Sequence, residues 1–154
     1  MIKINVILNN ISWKKYLKNP YSFIDKKLSI INKKDNLYKK NILNCSLLLS
    51  GTIEIKKLNK KFRNKNKSTD VLSFPFYEKK QLKIQLAKNK EIYLGDIIIN
   101  INKVKNKNDK VRFKEEVNKL WVHGFVHLFG YKHKKDKDFH LMSKIEKKYL
   151  KYII

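Results

Sequence analysis

Ile2, Ile4, Val6 and Leu8 alternate with other residues, a period-two pattern that predicts a β-strand, and Asn9-Asn10 breaks it. From Ser12 to Asn32 the apolar positions Trp13, Tyr16, Leu17, Ile24, Leu28 and Ile31 recur near helical spacing, which predicts a helix whose start is broken at Asn19-Pro20. Asn44 to Leu49 is short and apolar and predicts a second strand. Ser50-Gly51 then turns the chain into a helix over Thr52 to Arg63, with Ile55, Leu58, Lys61 and Phe62 at helical intervals.

Asn64-Lys65-Asn66-Lys67 has the composition of a solvated loop. It runs into Val71-Leu72-Ser73-Phe74-Pro75-Phe76, a strand that Pro75 ends or confines to a sheet edge. A polar link of about a dozen residues is expected next, before a strand over Ile92 to Ile99. Lys114 to Phe129 carries Val117, Leu120, Trp121, Val122, Phe125, Val126, Leu128 and Phe129, too apolar all round for a surface helix, and is expected to be a central buried one. Gly130 follows in the position where a left-handed cap is common, and Asp136 to Tyr149 predicts a last amphipathic helix through Phe139, Met142 and Ile145, with Leu150 just beyond. No internal repeat is visible, and 154 residues with a hydrophobic fraction of 42% suit one domain with a real core.

Charge changes this picture. The 37 basic and 13 acidic residues leave a formal net charge of +24, which favours polyanionic partners such as nucleic acid. Almost all the basic residues are Lys, with Arg only at Arg63 and Arg112, and Asn and Ile are also abundant, a pattern that codon bias in an AT-rich genome would equally produce. Cys45, alone and within the apolar run Cys45-Ser46-Leu47-Leu48-Leu49, reads as a buried inert thiol; no disulfide can form within the chain, which fits a reducing compartment. The N-terminal stretch is too short and, at Lys3 and Asn5, too polar for a signal-peptide core, and no run approaches the roughly 18 apolar residues of a membrane span. A soluble, cytoplasmic protein without a membrane partner is expected.

The candidate chemistry lies in Trp121 to His133, which holds three of the four histidines. His123 and His127, four apart, project from one face of a helix, close enough for both imidazoles to reach one ion at roughly 2.0–2.1 Å. Gly130 lets the chain turn so that His133 can approach the same ion from another direction, which leaves a fourth position for water. Three imidazoles and a water describe a hydrolytic zinc site, in which the metal lowers the pKa of that water to about 7. Imidazoles would also accept nickel or copper. The spacing is shared with metzincin proteases, but they place Glu directly after the first His, where this chain has Gly124. His140, beside Asp136 and Asp138, reads as a solvated surface residue.

The block His123 to His133 resembles the H-G-x-[LV]-H-L-x-G-Y-x-H signature of the YbeY family of rRNA maturation endoribonucleases. Leu58 to Arg63 followed by Ser68 to Pro75, and Leu94 to Ile99, resemble two further signatures of that family, in the same order along the chain. The resemblance covers most of residues 58 to 133. It implies a single-domain α+β fold, a small mixed sheet packed by helices, whose central buried helix carries the metal-binding histidines. It implies one zinc ion per chain on His123, His127 and His133, and a single-strand endoribonuclease acting on ribosomal RNA, notably at the 3′ end of small-subunit rRNA, with a role in ribosome quality control. The small ribosomal subunit and ribosome-associated proteins are the partners it implies. Where the family usually has Asp before the third His, this chain has Lys132, which alters the surroundings of the ligands.

Arg63 matches the family's functionally important arginine, and a planar guanidinium holds a phosphate in a two-pronged contact that Lys cannot copy. The plainer reading is a cation that favours a helix C-terminus. Asp70 and Ser73 border the same strand and are candidates to bond a ligand histidine or the water, with a turn or capping role as the equal alternative for Asp70; Asp96 carries the same ambiguity. Lys65, Lys67, Lys132, Lys134 and Lys135 flank the motif blocks as candidate phosphate contacts. Two rival readings stand beside the ribonuclease: a non-catalytic ribosome-associated RNA-binding factor with a mainly structural metal site, which the missing Glu at Gly124 favours, and a metallopeptidase, which rests on the histidine spacing alone.

Overall fold

The alternating residues at the N-terminus form strand β1 (Ile2–Leu8), with Ile2, Ile4 and Val6 buried and Lys3, Asn5 and Ile7 exposed. This is a computed structural model, and it describes residues 1–132 and 136–154. After a short 3-10 turn over Ile11–Lys15, helix α1 (Pro20–Lys34) starts afresh. The Asn19 side chain accepts a hydrogen bond from Ser22 N at 3.0 Å, and Pro20 takes the first helical turn, where its missing N–H leaves no bond unmade. The dipeptide that reads as an interruption is the start signal of the helix.

Strand β2 (Ile42–Ser50), helix α2 (Thr52–Arg63), strand β3 (Val71–Pro75), helix α3 (Lys79–Lys88), strand β4 (Glu91–Asn100), helix α4 (Lys110–His127) and helix α5 (Asp136–Ile153) follow. The strands form one mixed sheet in the order β1-β2-β4-β3, with β1, β2 and β4 parallel and β3 antiparallel to β4 at the edge. Pro75 therefore does both things expected of it, ending β3 on an edge strand. The architecture is the expected α+β one.

The link between β3 and β4 is not the structureless segment that its polarity suggests. Residues 79–88 form α3, started by a capping box in which Glu78 and Gln81 exchange side-chain-to-backbone bonds. Only Leu82 on this helix is buried, with Leu86 packed partly against the core and Ile84 exposed, so the apolar period is too sparse to read.

The two faces of the sheet are unequal. One carries Ile4, Leu43, Cys45, Leu47, Leu94, Ile97 and Ile99 into the main core with α1, α4 and α5, and the other packs Leu72 and Ile98 against Ile55 of α2. A bulge lets β4 serve both. Register slips at Asn44/Cys45 so that Gly95, at φ +133°, stands opposite Cys45, and Leu94 and Ile97 then face the same core. A Cβ on Gly95 would lie 2.1 Å from the Phe74 carbonyl oxygen, so only glycine fits between β4 and β3. Burial pushes the Cys45 thiol pKa up to about 12, in keeping with an inert side chain.

Helix α4 is capped by Asp109, whose side chain accepts from the backbone N–H groups of Val111 and Arg112 at 3.0 and 3.1 Å. It buries Phe113, Val117, Trp121, Val122, Phe125 and Val126, which makes it the central helix. Helix α5 is fastened through Asp35, at the end of α1, which accepts from the Tyr149 hydroxyl at 2.6 Å and from Lys148 at 2.9 Å. Burial works to raise the Asp35 pKa, but those hydrogen bonds, a backbone one from Leu37 and the Lys148 charge together hold it below its ordinary value. Among the described residues, no helix is long and apolar enough to cross a membrane.

Two stability predictions follow from this packing. A Cβ on Gly124 would stand 2.6 Å from the Ile97 Cγ2 methyl and 3.1 Å from Ser73 Oγ. Overpacking of about 1–3 kcal/mol should outweigh the gain of about 1 kcal/mol that alanine brings to a helix interior, so Gly124→Ala should lower the urea midpoint. An unchanged or raised midpoint would mean that α4 does not press on the sheet there. For Asp35→Ala, a loss of about 1–3 kcal/mol is expected at neutral pH, because the buried Tyr149 hydroxyl loses its acceptor. Since the folded pKa of Asp35 is depressed, its contribution is present above the unfolded value of about 3.9 and is lost as pH falls through the folded one. The gap between the melts of wild type and variant should therefore begin to narrow only as pH falls below about 4.

Candidate active site

The last two turns of α4 carry His123 and His127, half-buried and one helical turn apart, with their ring planes at 83°. Each ring is held from behind. His123 Nδ1 lies 2.8 Å from Glu146 Oε1 on α5, and His127 Nδ1 lies 2.8 Å from the Tyr131 carbonyl oxygen. A carbonyl only accepts, so His127 carries its proton on Nδ1, and the carboxylate selects the same tautomer for His123.

Those tautomers leave an Nε2 lone pair on each ring, and the two Nε2 atoms are 3.1 Å apart. Facing lone pairs at that distance repel unless a cation lies between them, either a shared proton or a metal ion. Two nitrogens bound to one ion at about 2.1 Å in a tetrahedral arrangement stand roughly 3.4 Å apart, so the pair needs little adjustment to share an ion. The donor set thus fits a zinc-like metal. His133, the third expected ligand, lies outside the described residues, as do Lys134 and Lys135. Among the described residues no three His, Cys, Asp or Glu side chains are grouped to hold an ion.

Gly130 ends the histidine segment at φ +86°, and a Cβ there would come within 2.9 Å of the Lys79 backbone nitrogen. The left-handed turn brings the Tyr131 carbonyl back to His127, and the close approach seats the start of α3 against the same turn. Gly124, where a metzincin carries its general base, faces the sheet and touches Ile97, Ser73 and Val71. A Glu at that position has no room, which removes the metzincin arrangement on steric grounds.

The histidines open into a cavity of about 600 Å³ lined also by Arg63, Lys65, Asp70, Ser73, Tyr131 and Lys132. Arg63 is the last residue of α2, which ends because Asn64 adopts a left-handed conformation at φ 55° and caps Asn59 and Lys60. Its guanidinium donates to the Ser73 carbonyl of β3 at 2.9 Å and sits over the Phe74 ring. Arg63 therefore reaches round the sheet edge to the histidine side. The Ser73 hydroxyl is buried and donates to the Gly124 carbonyl at 2.9 Å, tying β3 to α4 rather than bonding a histidine.

Asp70 caps the start of β3, accepting from its neighbour Val71 N at 2.8 Å, and also lines the cavity. Asp96 lies on the opposite sheet face, accepting from the Tyr93 hydroxyl, outside the cavity. Lys65 and Lys132 line it, whereas Lys67 offers its carbonyl to Asn59. His140 is exposed on α5. Glu146 is the residue that sequence reasoning missed. A signal existed, because Glu146 falls in the stripe with Met142, Tyr149 and Ile153 that α5 buries, and a lone carboxylate in such a stripe calls for a partner.

The family model described as Endoribonuclease YbeY matches residues 7–153. The Endoribonuclease YbeY of Pelagibacter ubique is 46% identical, with 99% of this chain and 97% of that protein covered. The one from Thermodesulfovibrio yellowstonii is 36% identical over 89% of this chain and 81% of its own. Among solved structures, a solution structure of a protein from Thermotoga maritima matches with a TM-score of 0.59 and 27% identity, covering 98% of this chain and 89% of that one. With near-complete coverage in sequence and the same fold in a solved relative, this chain belongs to the YbeY family.

Proposed function

We propose that this protein is a metal-dependent, single-strand endoribonuclease of ribosomal RNA maturation, acting at the 3′ end of small-subunit rRNA and in ribosome quality control. On this reading it works in the cytoplasm, with the small ribosomal subunit and its associated proteins as partners. The observation that carries the reading is the pair of Nε2 atoms 3.1 Å apart, each ring locked at Nδ1, inside a cavity with three cationic side chains to one carboxylate. The relatives' printed name, Endoribonuclease YbeY, supports RNA as the polymer cut.

His123, His127 and His133 would hold one zinc ion, which when bound supplies Lewis-acid chemistry on a phosphate oxygen or on water. The protein's own side chains do the rest. Glu146 and the Tyr131 carbonyl keep the Nε2 lone pairs of their histidines facing inward. The Arg63 guanidinium uses one N–H group on Ser73 and keeps others to offset charge developing on phosphate oxygens. Lys65 and Lys132 add salt-sensitive attraction for the RNA backbone at the same cavity.

The deciding experiment combines metal content with cleavage of small-subunit precursor rRNA by wild type, His127→Ala and Arg63→Ala, each checked for folding by circular dichroism. One ion per wild-type chain is expected, with metal and cleavage both lost in His127→Ala. Arg63→Ala should keep its metal and cut at least about a hundredfold more slowly. A metal-loaded wild type that binds RNA and never cuts it would replace this reading with a non-catalytic ribosome-associated factor. Glu146→Ala should weaken metal binding by about 10- to 100-fold in a chelator competition, with Glu146→Gln intermediate. Equal affinities in all three would show that the carboxylate does not orient His123.

A further inference from the structure

We propose that the ring of Phe76 is a base-stacking subsite for single-stranded RNA, placed where the histidine cavity continues past the end of β3. The inference rests on the ribonuclease reading above and adds the place where a nucleotide flanking the cut is held. The first observation is continuity. A second hollow of about 690 Å³ adjoins the histidine cavity, and Pro75, Gly130 and Lys132 line both. Phe76 and Tyr77 line this hollow and not the histidine cavity.

The second observation is the ring itself. Phe76 is 63% exposed, a large apolar side chain left in solvent, yet it is firmly placed. Its backbone N–H donates to the Leu94 carbonyl at 2.8 Å, extending the β3 pairing by one residue, and its ring meets Tyr77 at 4.9 Å and, at the rim toward the face that carries Asp96, Tyr93 at 5.9 Å, both nearly perpendicular. Rigid, solvent-facing aromatics are what single-strand binding surfaces present to bases, since every base has a π-face to stack. Phe76 lies three residues beyond Ser73, the residue that holds Arg63, so about 10 Å of extended strand separates the two residues.

The third observation is charge. The acidic groups of this second hollow are committed elsewhere: Asp138 pairs with Lys79 at 3.3 Å, and Glu78 caps α3. Lys79 also sits over the Tyr131 ring. Among the described residues, neither Lys80 nor Lys132 is paired with a carboxylate, so the hollow offers cations beside an aromatic face, which suits a phosphate backbone carrying bases. On its other side Phe76 also borders a smaller hollow with Tyr77 and the exposed Ile84, without a lysine or arginine in its lining, and that side is the one a protein partner would use.

The test measures binding of a labelled single-stranded oligoribonucleotide by anisotropy, with its integrity checked on a gel, together with steady-state cleavage by the metal-loaded full chain. Phe76→Ala should raise the dissociation constant by about 5- to 150-fold, the loss of one stacked base, and raise KM far more than it lowers kcat. Phe76→Trp should bind at least as well as wild type. Phe76→Trp should keep the wild-type thermal midpoint, and Phe76→Ala should stay folded with a midpoint lowered only by the loss of two edge-on ring contacts. An abasic nucleotide walked along the oligonucleotide should find one position that weakens wild type as much as Phe76→Ala does and costs Phe76→Ala nothing further. If wild type cuts RNA while Phe76→Ala binds and cuts equally well, or if abasic sites cost both proteins the same everywhere, the subsite is overturned and Phe76 belongs to a protein-docking surface. A wild type that neither binds nor cuts RNA would instead remove the ribonuclease reading, and this subsite with it.

Discussion

At Gly124 the central helix comes so close to the sheet that no side chain fits between them, and the histidine cavity depends on that approach. The glycine puts the α4 backbone within reach of Ser73 Oγ, which donates to the Gly124 carbonyl from β3. His123 and His127 flank this contact, so their rings emerge beside the edge of β3 and not over open solvent. The same edge strand offers its Ser73 carbonyl to Arg63 from the other side. One residue of β3 thus fastens the helix bearing the histidines and the guanidinium facing them. A shift of α4 away from the sheet would separate the two halves of the site.

The opposite side of the histidine pair depends on α5. Glu146 aligns His123, and three residues on, Tyr149 bonds Asp35 at the end of α1 while Lys148 pairs with the same carboxylate. Burial, reinforced by the Asp35 contact, drives the Tyr149 pKa well upward, so that hydroxyl stays a donor at any ordinary pH. The fastening of α5 is therefore a chain of directional bonds laid over an apolar stripe, and the orientation of His123 is coupled to it. Packing alone would let the helix slide by fractions of an ångström, which a ligand geometry tolerates poorly.

Where one physical signal dominated, the elements were legible in sequence. Alternation revealed β1, the all-round apolar run revealed α4, and Ser50-Gly51 with the spacing of Ile55 and Leu58 revealed α2 over Thr52–Arg63. Helix α3 escaped because its evidence is a capping box and a single buried leucine, too little for a periodicity argument. Helix α4 starts four residues before Lys114 because Asp109 caps it and ends at His127, two residues short of Phe129, while α5 runs past Tyr149 because Ile153 extends the buried stripe. The role of Asp96 was open in sequence because period two says which face a strand residue takes only once the bulge at Gly95 is known. That bulge sets Asp96 on the face away from the histidines.

Net charge is a poor guide to where RNA would sit on such a protein, since lysine is spread over almost every surface. What distinguishes the cavity is a different cation. A lysine ammonium bonded to the Ser73 carbonyl would present one compact charge already engaged with the backbone. Arg63 has five N–H donors in a rigid fork; with one group on Ser73 and the ring of Phe74 beneath it, the rest are left for a ligand in the cavity that Arg63 lines. Held by its own fold, the guanidinium is placed before any phosphate arrives, and a donor that need not reorganise is worth more to a developing charge than one that must be drawn in from water.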